Sequence, residues 1–204
     1  MSQSKKPRFT PSPFVMLKGR EVSAEEILAA FEQARGKAGS VVMLVGMPAS
    51  GKSTLSAPFE AAGWIRLNKD ALRKELYGDE AAKGDLKEVN SLFYKRLEEA
   101  LAGNLCLLVD NLNHNQHYRR GPIARAREAG YTEITNLVLD VPVEECVRRN
   151  ASRARKVPEQ VIRDVGAEIA GNLPTRSEGR LLVIQPGSTP GRFIVKQARS
   201  GRRS

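Results

Sequence analysis

The chain has 204 residues, 41% of them hydrophobic, and 33 basic against 23 acidic side chains give it a formal net charge of +10. No apolar run approaches the roughly 20 residues of a membrane-spanning helix, and no apolar segment follows the basic start as in a signal peptide. Composition therefore argues against membrane-spanning helices and predicts a cytoplasmic protein, whose excess positive charge favours polyanionic partners or, as the plainer alternative, serves solubility.

Residues 1–39 are predicted to form an N-terminal extension with one helix. A proline-rich basic start and a short apolar run precede the segment Ser23-Ala-Glu-Glu26. This segment has the pattern of a capping box, in which the first and last side chains each satisfy a free backbone N–H at a helix start. Apolar residues at Ile27 and Phe31 follow at helical spacing, which predicts a helix after Ser23.

Residues 40–170 alternate buried strands with helices. Short apolar runs separated by helical patterns are typical of a parallel sheet that helices cover on both faces. Cys106 and Cys146 lie in this part without metal-ligand spacing, which predicts two packing positions in a reducing compartment. The predicted strands are 41–45, 64–67, 105–109 and 134–140, and the predicted helices are 71–77, 85–101, 116–128, 143–150 and 158–170, with a further helix beginning near Ser53.

Residues 171–204 have a different composition. Two apolar runs, Leu181–Ile184 and Phe193–Val195, flank a segment rich in proline and glycine. This arrangement predicts a β-hairpin with a long loop. The basic end, Arg199–Ser204, is predicted to be disordered because it contains too few apolar residues to pack.

The segment Gly46-Met-Pro-Ala-Ser-Gly-Lys-Ser-Thr54 fits the Walker A pattern, directly after an apolar strand and before a helix. Glycines let the backbone N–H groups surround an anion, and the helix N-terminus adds a partial positive charge. The lysine of such a loop reaches the β- and γ-phosphates of ATP, and the serine hydroxyl coordinates Mg²⁺. The residues expected to bind ATP and Mg²⁺ are Gly46, Ser50, Gly51, Lys52, Ser53 and Thr54.

These elements together predict the fold class. We expect an α/β protein with a P-loop NTPase-type parallel sheet flanked by helices, a short helical N-terminal extension and a basic C-terminal hairpin and tail. Asp110 follows the strand 105–109 and so lies at the carboxyl edge of this sheet, beside the phosphate site. Its carboxylate could hold Mg²⁺ through a water molecule, or it could cap the turn that precedes Asn111 and Asn113.

The end of the second predicted strand carries the residues suited to a phosphoryl acceptor. A hydroxyl acceptor is activated by a carboxylate that takes its proton as the γ-phosphoryl group arrives. Asp70 stands where such a base belongs, and Arg73 follows three residues later on the same helical face, where it could clamp an anionic substrate. Asp70 alone would be read as a helix N-cap, and one residue can serve both roles.

Residues 147–158 hold five basic side chains between two predicted helices. Many P-loop kinases close an arginine-bearing lid of this kind over the nucleotide, where it stabilises charge on the transferring phosphoryl group. The alternative is a solvated helix end that complements the helix dipole. If the segment is a lid, Arg149 and Arg153 are the side chains expected to point inward.

The chain resembles the 5′-hydroxyl polynucleotide kinases, and specifically the kinase half of the bacteriophage polynucleotide kinase–phosphatase. The resemblance covers about residues 41–166, and its segments follow one another in the order of the family. The phosphate loop is shared with many other proteins, whereas the other segments are more specific. The matching segments are Gly46–Thr54, Asn68–Arg73, Asp110–Asn113, Asp140–Pro142, Arg149–Arg153 and Val157–Pro158.

That resemblance implies ATP- and Mg²⁺-dependent phosphorylation of the 5′-hydroxyl ends of DNA or RNA, in the cytoplasm of a bacterium or of a phage-infected host. It implies that Lys52 and Ser53 serve ATP and Mg²⁺, with Lys52 counted among the catalytic residues. It further implies that Asp70 is the general base and that Arg73 binds a phosphate of the acceptor's terminal nucleotide. The remaining implied roles fall to Arg153, as a catalytic residue of the lid, and Asp110, on the substrate side of the active site. From the lid argument we expect Arg149 to bind ATP.

The sequence departs from the family in several places. Asn111 stands where the family commonly has threonine, and the lid is one residue shorter between Asn150 and Pro158, which leaves the register of Arg155 and Lys156 open. The Asp-x-Asp-Gly-Thr segment of a phosphatase half does not occur in these residues. We therefore expect a kinase without the 3′-phosphatase activity.

Three other functions remain compatible with the sequence. A small-molecule or sugar-nucleotide kinase of the zeta-toxin type would share the phosphate loop and the aspartate base. A nucleotide-driven switch usually needs a carboxylate beside Asp110, where Asn111 stands instead. The flanking segments could also form a separate module for nucleic acid or a partner protein, and the sequence leaves a homo-oligomer open.

Overall fold

The structure is a computed structural model that describes residues 12–35, 38–82 and 84–199. Within these ranges the chain forms one seven-stranded sheet flanked by eight helices. The strands are β1 (Glu21–Ser23), β2 (Ser40–Val45), β3 (Ile65–Leu67), β4 (Leu107–Val109), β5 (Glu133–Leu139), β6 (Arg180–Pro186) and β7 (Arg192–Arg199). The helices are α1 (Pro13–Leu17), α2 (Ala24–Gln33), α3 (Lys52–Ala61), α4 (Lys69–Tyr77), α5 (Leu86–Ala102), α6 (Gln116–Glu128), α7 (Val143–Ala151) and α8 (Glu159–Gly171), with a 3₁₀ turn at Arg176–Glu178.

The sheet is mostly parallel, as the sequence predicts. Its strand order is β1-β7-β6-β5-β2-β4-β3, and β3, β4, β2, β5 and β6 run parallel to one another. All six residues of β2 are buried, which explains its unbroken apolar sequence. Because β2 is flanked by β4 and β5, the loop that follows it opens at the middle of the sheet's carboxyl edge.

The segments on both sides of the parallel core continue the same sheet. The C-terminal hairpin is confirmed: β6 pairs with β7 antiparallel, and β1 then pairs with β7 antiparallel, so that Glu21 lies opposite Ile194. The capping box at the start of α2 is also confirmed, since the Ser23 hydroxyl accepts from the N–H of Glu26 at 3.2 Å. The sequence missed β1 and α1, because three and five residues carry too few periods of a pattern to be recognised.

Two hydrophobic clusters cover the two faces of the sheet. On one face, Phe14 packs edge to face on Phe31 with a centroid distance of 4.7 Å. Beside them, Phe59 and Trp64 pack in the same way at 5.0 Å. On the opposite face, α5 packs its apolar side against the sheet. The double-sided cover confirms the layered α/β architecture.

Several predicted boundaries need correction. The strand before Asp110 begins at Leu107 instead of Leu105, because Leu105 is 41% exposed and its carbonyl accepts the Tyr131 hydroxyl at 2.8 Å. Arg199, predicted to belong to a disordered end, lies in β7, and the rest of that prediction falls on residues 200–204, outside the described residues.

Two compositional expectations can be compared with the described part of the chain. Within residues 12–35, 38–82 and 84–199, no helix has the length and apolar character needed to cross a membrane. Cys106 and Cys146 are both buried as free thiols in the core, and burial raises the pKa of the Cys146 thiol to about 11. Such thiols are packing residues, as the sequence predicts.

A buried ion pair ties α6 to the 3₁₀ turn. Arg119 donates from Nε to Oε2 of Glu178 at 2.7 Å, and the two side chains are 1% and 7% exposed. The same guanidinium donates to the carbonyls of Asn113 and Asn172, each at 2.9 Å. These bonds fix the loop after β4 against the segment that leads into β6.

Candidate active site

The phosphate loop joins β2 to α3 with a backbone that its sequence requires. Gly51 has φ +101° and is the N-cap residue of α3, a left-handed conformation that side chains disfavour. Gly46 is needed for a different reason: a β-carbon there would lie 2.7 Å from Oγ of Ser50. That hydroxyl is buried and has no hydrogen-bond partner among the described residues. The loop is therefore closely packed at Gly46 and Ser50, while its residues 48–54 line the cleft.

Overpacking this loop should weaken nucleotide binding. Gly46→Ala adds a methyl group against Ser50 and Leu139, and overpacking typically costs about 1–3 kcal/mol, so we expect nucleotide affinity to fall about 10-fold. Titration with a fluorescent ATP analogue measures the change. The double variant Gly46→Ala/Ser50→Ala removes the hydroxyl and should recover part of the affinity, whereas Gly171→Ala, which meets open space, should bind normally. Unchanged affinity in Gly46→Ala would contradict this packing.

Lys52 begins α3 and folds back over the loop. Its Nζ donates to the carbonyls of Gly46 and Met47 at 2.7 and 2.8 Å. Burial lowers the pKa of Lys52 to about 8, while the negative charges of Asp110 and Asp70 act in the opposite direction. The ammonium is thus held at the centre of the site, within electrostatic reach of both carboxylates.

Asp110 lies directly after β4 and is 2% exposed. Its Oδ2 accepts from Nε of Arg66 at 2.8 Å, and Arg66 in β3 also pairs with Glu60 at 2.8 Å. Its Oδ1 is buried and has no hydrogen-bond partner among the described residues. The side-chain hydrogen bonds of Asp110 therefore come from Arg66 instead of the turn that follows it, and Oδ1 is available to a ligand such as a Mg²⁺-bound water.

Asparagine side chains join the ends of three neighbouring strands. Asn68 donates from Nδ2 to the carbonyl of Asp110 at 2.6 Å, and Oδ1 of Asn111 accepts from the N–H of Lys69 at 3.0 Å. Asn113 donates from Nδ2 to the carbonyl of Leu44 at 2.7 Å. These structural roles could not be predicted from the sequence, because the bonds join segments far apart in the chain.

Asp70 lies in the first turn of α4 and its side chain is 50% exposed. The prediction that it caps the helix is wrong: the N-cap is Asn68, whose Oδ1 accepts from the N–H of Ala71 at 2.9 Å. Oδ1 of Asp70 accepts from Nη1 of Arg73 at 2.5 Å, and Oδ2 lies 3.8 Å from Nη1 of Arg155. Because Asn68 caps the helix, the Asp70 carboxylate makes no capping bond and lies beside one arginine of α4 and one of the loop 152–158.

The loop 152–158 between α7 and α8 lies over the site. Nε of Arg149 donates to Oε1 of Glu145 at 2.6 Å, and a β-carbon on Gly51 would lie 4.0 Å from Nη1 of Arg149. Hydrogen bonds from Arg148 and Arg149 lower the pKa of Glu145 to about 2. Arg149 therefore lies beside the phosphate loop, as predicted for an inward-pointing residue.

Asn150 fixes the geometry of this loop. Its Nδ2 donates to the carbonyl of Val157 at 2.7 Å, and its Oδ1 accepts from the N–H of Val157 at 3.0 Å. Asn150→Ala removes both bonds and should destabilise the protein by about 1–3 kcal/mol. Hydrogen exchange of the amides at 152–157 should accelerate, while Ser152→Ala, which loses one exposed bond to Arg149, should exchange as the unmodified chain does. Unchanged exchange in Asn150→Ala would exclude this role.

One cleft of about 1220 Å³ brings the predicted site residues together. Gly46 is the exception among them, because it is buried behind Ser50. The loop of the C-terminal hairpin, Pro186–Arg192, also lines the cleft, and a β-carbon on Gly191 would lie 4.0 Å from Cγ2 of Thr54. The predicted site residues on its wall are Ser50, Gly51, Lys52, Ser53, Thr54, Asp70, Arg73, Asp110, Arg149 and Arg153.

The sequence of this chain is similar to those of known proteins. Residues 41–172 match the family described as an AAA domain. The chain is 27% identical over 148 residues to the L-seryl-tRNA(Sec) kinase of Methanococcus maripaludis, covering 66% of this chain and 56% of that protein. The chain thus spans about half the length of this curated relative.

Two solved structures resemble a large part of the described fold. One is a chain of the Pnkp1/Rnl/Hen1 RNA repair complex, with a TM-score of 0.58, 22% identity and coverage of 65% of this chain and 44% of that chain. The other is a chain of the AvrRxo1-ORF1:-ORF2 complex with ATP, with a TM-score of 0.57, 14% identity and coverage of 83% and 62%. At these identities the likeness concerns the fold alone.

Proposed function

The chain belongs to the AAA domain family, and on that premise we propose that it is a P-loop kinase that transfers the γ-phosphoryl group of ATP to the 5′-hydroxyl end of a polynucleotide. The observation that carries the proposal is the position of Asp70. Its half-exposed carboxylate lies in the same cleft as Lys52, and the negative charge of Asp70 acts to raise the pKa of that lysine. A general base and the phosphate-binding lysine thus face a common space.

The donor half of the cleft has the chemistry that ATP with Mg²⁺ requires. Lys52 would exchange its bonds to the loop carbonyls for the phosphates of the nucleotide. The exposed Ser53 and the unpaired Oδ1 of Asp110 fit a Mg²⁺ ion, directly or through water. Bound there, Mg²⁺ would offset negative charge on the phosphates. Arg149 and Arg153 would hold the nucleotide and the transferring phosphoryl group from the lid side.

The acceptor half of the cleft suits an alcohol that carries a negative charge. Asp70 would take the proton of the attacking hydroxyl, and the half-buried Arg73 beside it would bind an anionic group of the same acceptor. A polynucleotide end offers both features, because a phosphate follows its terminal sugar. Arg73 already donates a hydrogen bond to Asp70, so the proposed base and the proposed anion site are direct neighbours.

Aromatic side chains that line the same cleft favour a nucleobase-bearing acceptor. Tyr118 is 48% exposed and its ring lies 4.8 Å from that of His114 and 5.5 Å from that of His117. All three rings line the cleft. Stacking of bases on such rings is a general feature of binding to single-stranded nucleic acid. The net charge of +10 would attract the acceptor's backbone.

A second acceptor is favoured by the similarity to the L-seryl-tRNA(Sec) kinase. That relative would suggest a hydroxyl carried on the end of a tRNA, which also presents phosphates near the reacting group. A small-molecule acceptor, as in kinases of the zeta-toxin type, would need neither the aromatic wall nor the excess of positive charge.

An acceptor panel tests the proposal. Labelled γ-phosphate from ATP is offered with DNA and RNA oligonucleotides that carry 5′-hydroxyl ends, a 3′-nucleotide, seryl-tRNA and sugar nucleotides. We expect label on the oligonucleotides and on the 3′-nucleotide. Label on seryl-tRNA alone would favour the second acceptor, and label on sugar nucleotides alone would refute a nucleic-acid substrate.

A further inference from the structure

Arg155 spans the mouth of the cleft. It lies in the loop 152–158, and its Nη1 approaches Oδ2 of Asp70 at 3.8 Å and Oε2 of Glu80 at 3.4 Å. Asp70 begins α4 and Glu80 follows its end, so a residue of the lid loop reaches the acceptor side of the cleft. Arg149, by contrast, is held by Glu145 beside the phosphate loop. Arg149 thus lies on the donor side of the site, beside the phosphate loop, and Arg155 lies on the acceptor side, beside Asp70.

Both oxygens of Asp70 face arginines in this arrangement. Arg73 donates to Oδ1, and Arg155 lies opposite Oδ2. A carboxylate oxygen that accepts from a guanidinium has fewer lone pairs left for the proton of an incoming hydroxyl. Arg155, at 3.8 Å, makes an ion pair with Oδ2 without a hydrogen bond, and displacing either arginine would leave the Asp70 carboxylate freer to accept the proton of the acceptor.

We propose that Arg155 is a specificity-determining residue that, together with Arg73, binds an anionic phosphate of the acceptor and releases Asp70 as it does so. The proposal rests on the proposed function and names the acceptor class as alcohols with a phosphate near the reacting hydroxyl. Only ion pairs change in the exchange. This exchange is energetically feasible because the ion pairs of Arg155 with Asp70 and Glu80 are half-exposed, and exposed ion pairs contribute little to stability.

A phosphate is the ligand best suited to draw both arginines away from the carboxylate. It carries up to two negative charges and several acceptor oxygens, and guanidinium groups bind it in charge-assisted, often bidentate, hydrogen bonds. Arg73 is three-quarters buried and Arg155 about half exposed, so the side chain of Arg73 is held more firmly and that of Arg155 has more room to turn toward a ligand. An acceptor without a phosphate would leave Asp70 paired with both arginines. The enzyme would therefore react faster with acceptors that carry a phosphate.

The test compares two acceptors and two variants. Cytidine 3′-monophosphate and cytidine differ only in the phosphate, and Arg155→Gln removes the charge while keeping a polar side chain. The matched control is Lys156→Gln, because Lys156 is exposed in the same loop but does not line the cleft. For Arg155→Gln we expect kcat/KM with cytidine 3′-monophosphate to fall about 10-fold or more, because one charged hydrogen bond to the phosphate is lost. With cytidine, kcat/KM should stay constant or rise. KM for ATP should not change, and Lys156→Gln should keep the preference of the unmodified chain.

Equal losses on both acceptors, or a higher KM for ATP, would overturn the proposal. Calorimetric binding of cytidine 3′-monophosphate without ATP decides the same question independently of turnover. Affinity that falls in Arg155→Gln and persists in Lys156→Gln would support the anion site even if the unmodified chain phosphorylated neither acceptor, an outcome that would refute only the proposed function. Equal affinity in all three proteins would refute the anion site itself.

Discussion

Replacing Asp70 by Asn should lower the rate of phosphoryl transfer by about 10²- to 10⁴-fold, the usual contribution of a general base. The amide keeps the shape of the side chain but cannot take a proton from the acceptor. Nucleotide binding should change little, because Lys52, the residue expected to bind the donor phosphates, donates its hydrogen bonds to the phosphate loop and not to Asp70. Single-turnover transfer and nucleotide titration, measured on the same preparation, separate the two effects.

The control for this variant is Asp164→Asn. Asp164 is exposed on α8, accepts from Gln160 at 2.8 Å and does not line the cleft, so its replacement should leave transfer unchanged. Turnover of Asp70→Asn at the rate of this control would show that another group accepts the proton. A proportionate loss of nucleotide affinity would instead indicate that Asp70 supports the donor site.

Replacing Glu178 by Ala should lower the free energy of unfolding by about 3–5 kcal/mol, because it leaves the guanidinium of Arg119 buried without a counter-charge. Arg119 is fully buried, so water cannot replace the carboxylate without opening the packing around α6. Denaturant unfolding followed by circular dichroism measures the change. Glu178→Gln, which keeps an acceptor oxygen but removes the charge, should fall between the unmodified chain and Glu178→Ala.

An exposed ion pair provides the comparison for Glu178. Glu98 pairs with Arg125 at 3.1 Å at the surface, and Glu98→Ala should leave the unfolding midpoint nearly unchanged. If Glu178→Ala were as stable as Glu98→Ala, the buried pair would not hold the loop after β4 in place.

The donor side of the site could be predicted because its geometry is local. Nine consecutive residues specify the phosphate loop, and the conformations of Gly46 and Gly51 follow from contacts within it and with the adjacent strand. The contact between Asp70 and Arg73 is also local, since residues three apart in a helix lie on one face. Hence the sequence located the loop, the carboxylate and the arginine in one cleft.

The partners of these residues could not be predicted, because they come from distant parts of the chain. Arg66 pairs with Asp110 across 44 positions, and only the pairing of β3 with β4 brings them together. Arg155 reaches Asp70 through the packing of the lid loop over the cleft. The N-cap of α4 was predicted wrongly for another reason: asparagine and aspartate suit that position equally well, and the structure has Asn68 there instead of Asp70.

The flanking segments show the same limit of local patterns. The hairpin was recognisable from its turn-rich loop, but its place beside β5 and its antiparallel pairing with β1 depend on the whole sheet. As a result, Pro186–Arg192 lines the cleft instead of lying apart from it. Deleting either flank would therefore remove strands of the sheet, so point substitutions are the sharper probe of the site.

The position of the transferred phosphate on an oligonucleotide decides whether this site is a 5′-end kinase. After transfer from ATP with a labelled γ-phosphate, digestion to single nucleotides should release the label on the 5′-terminal nucleotide alone. The same oligonucleotide already phosphorylated at its 5′ end should accept no label. Equal labelling of both oligonucleotides, or no labelling of either while seryl-tRNA or a sugar nucleotide is phosphorylated, would contradict a 5′-hydroxyl acceptor.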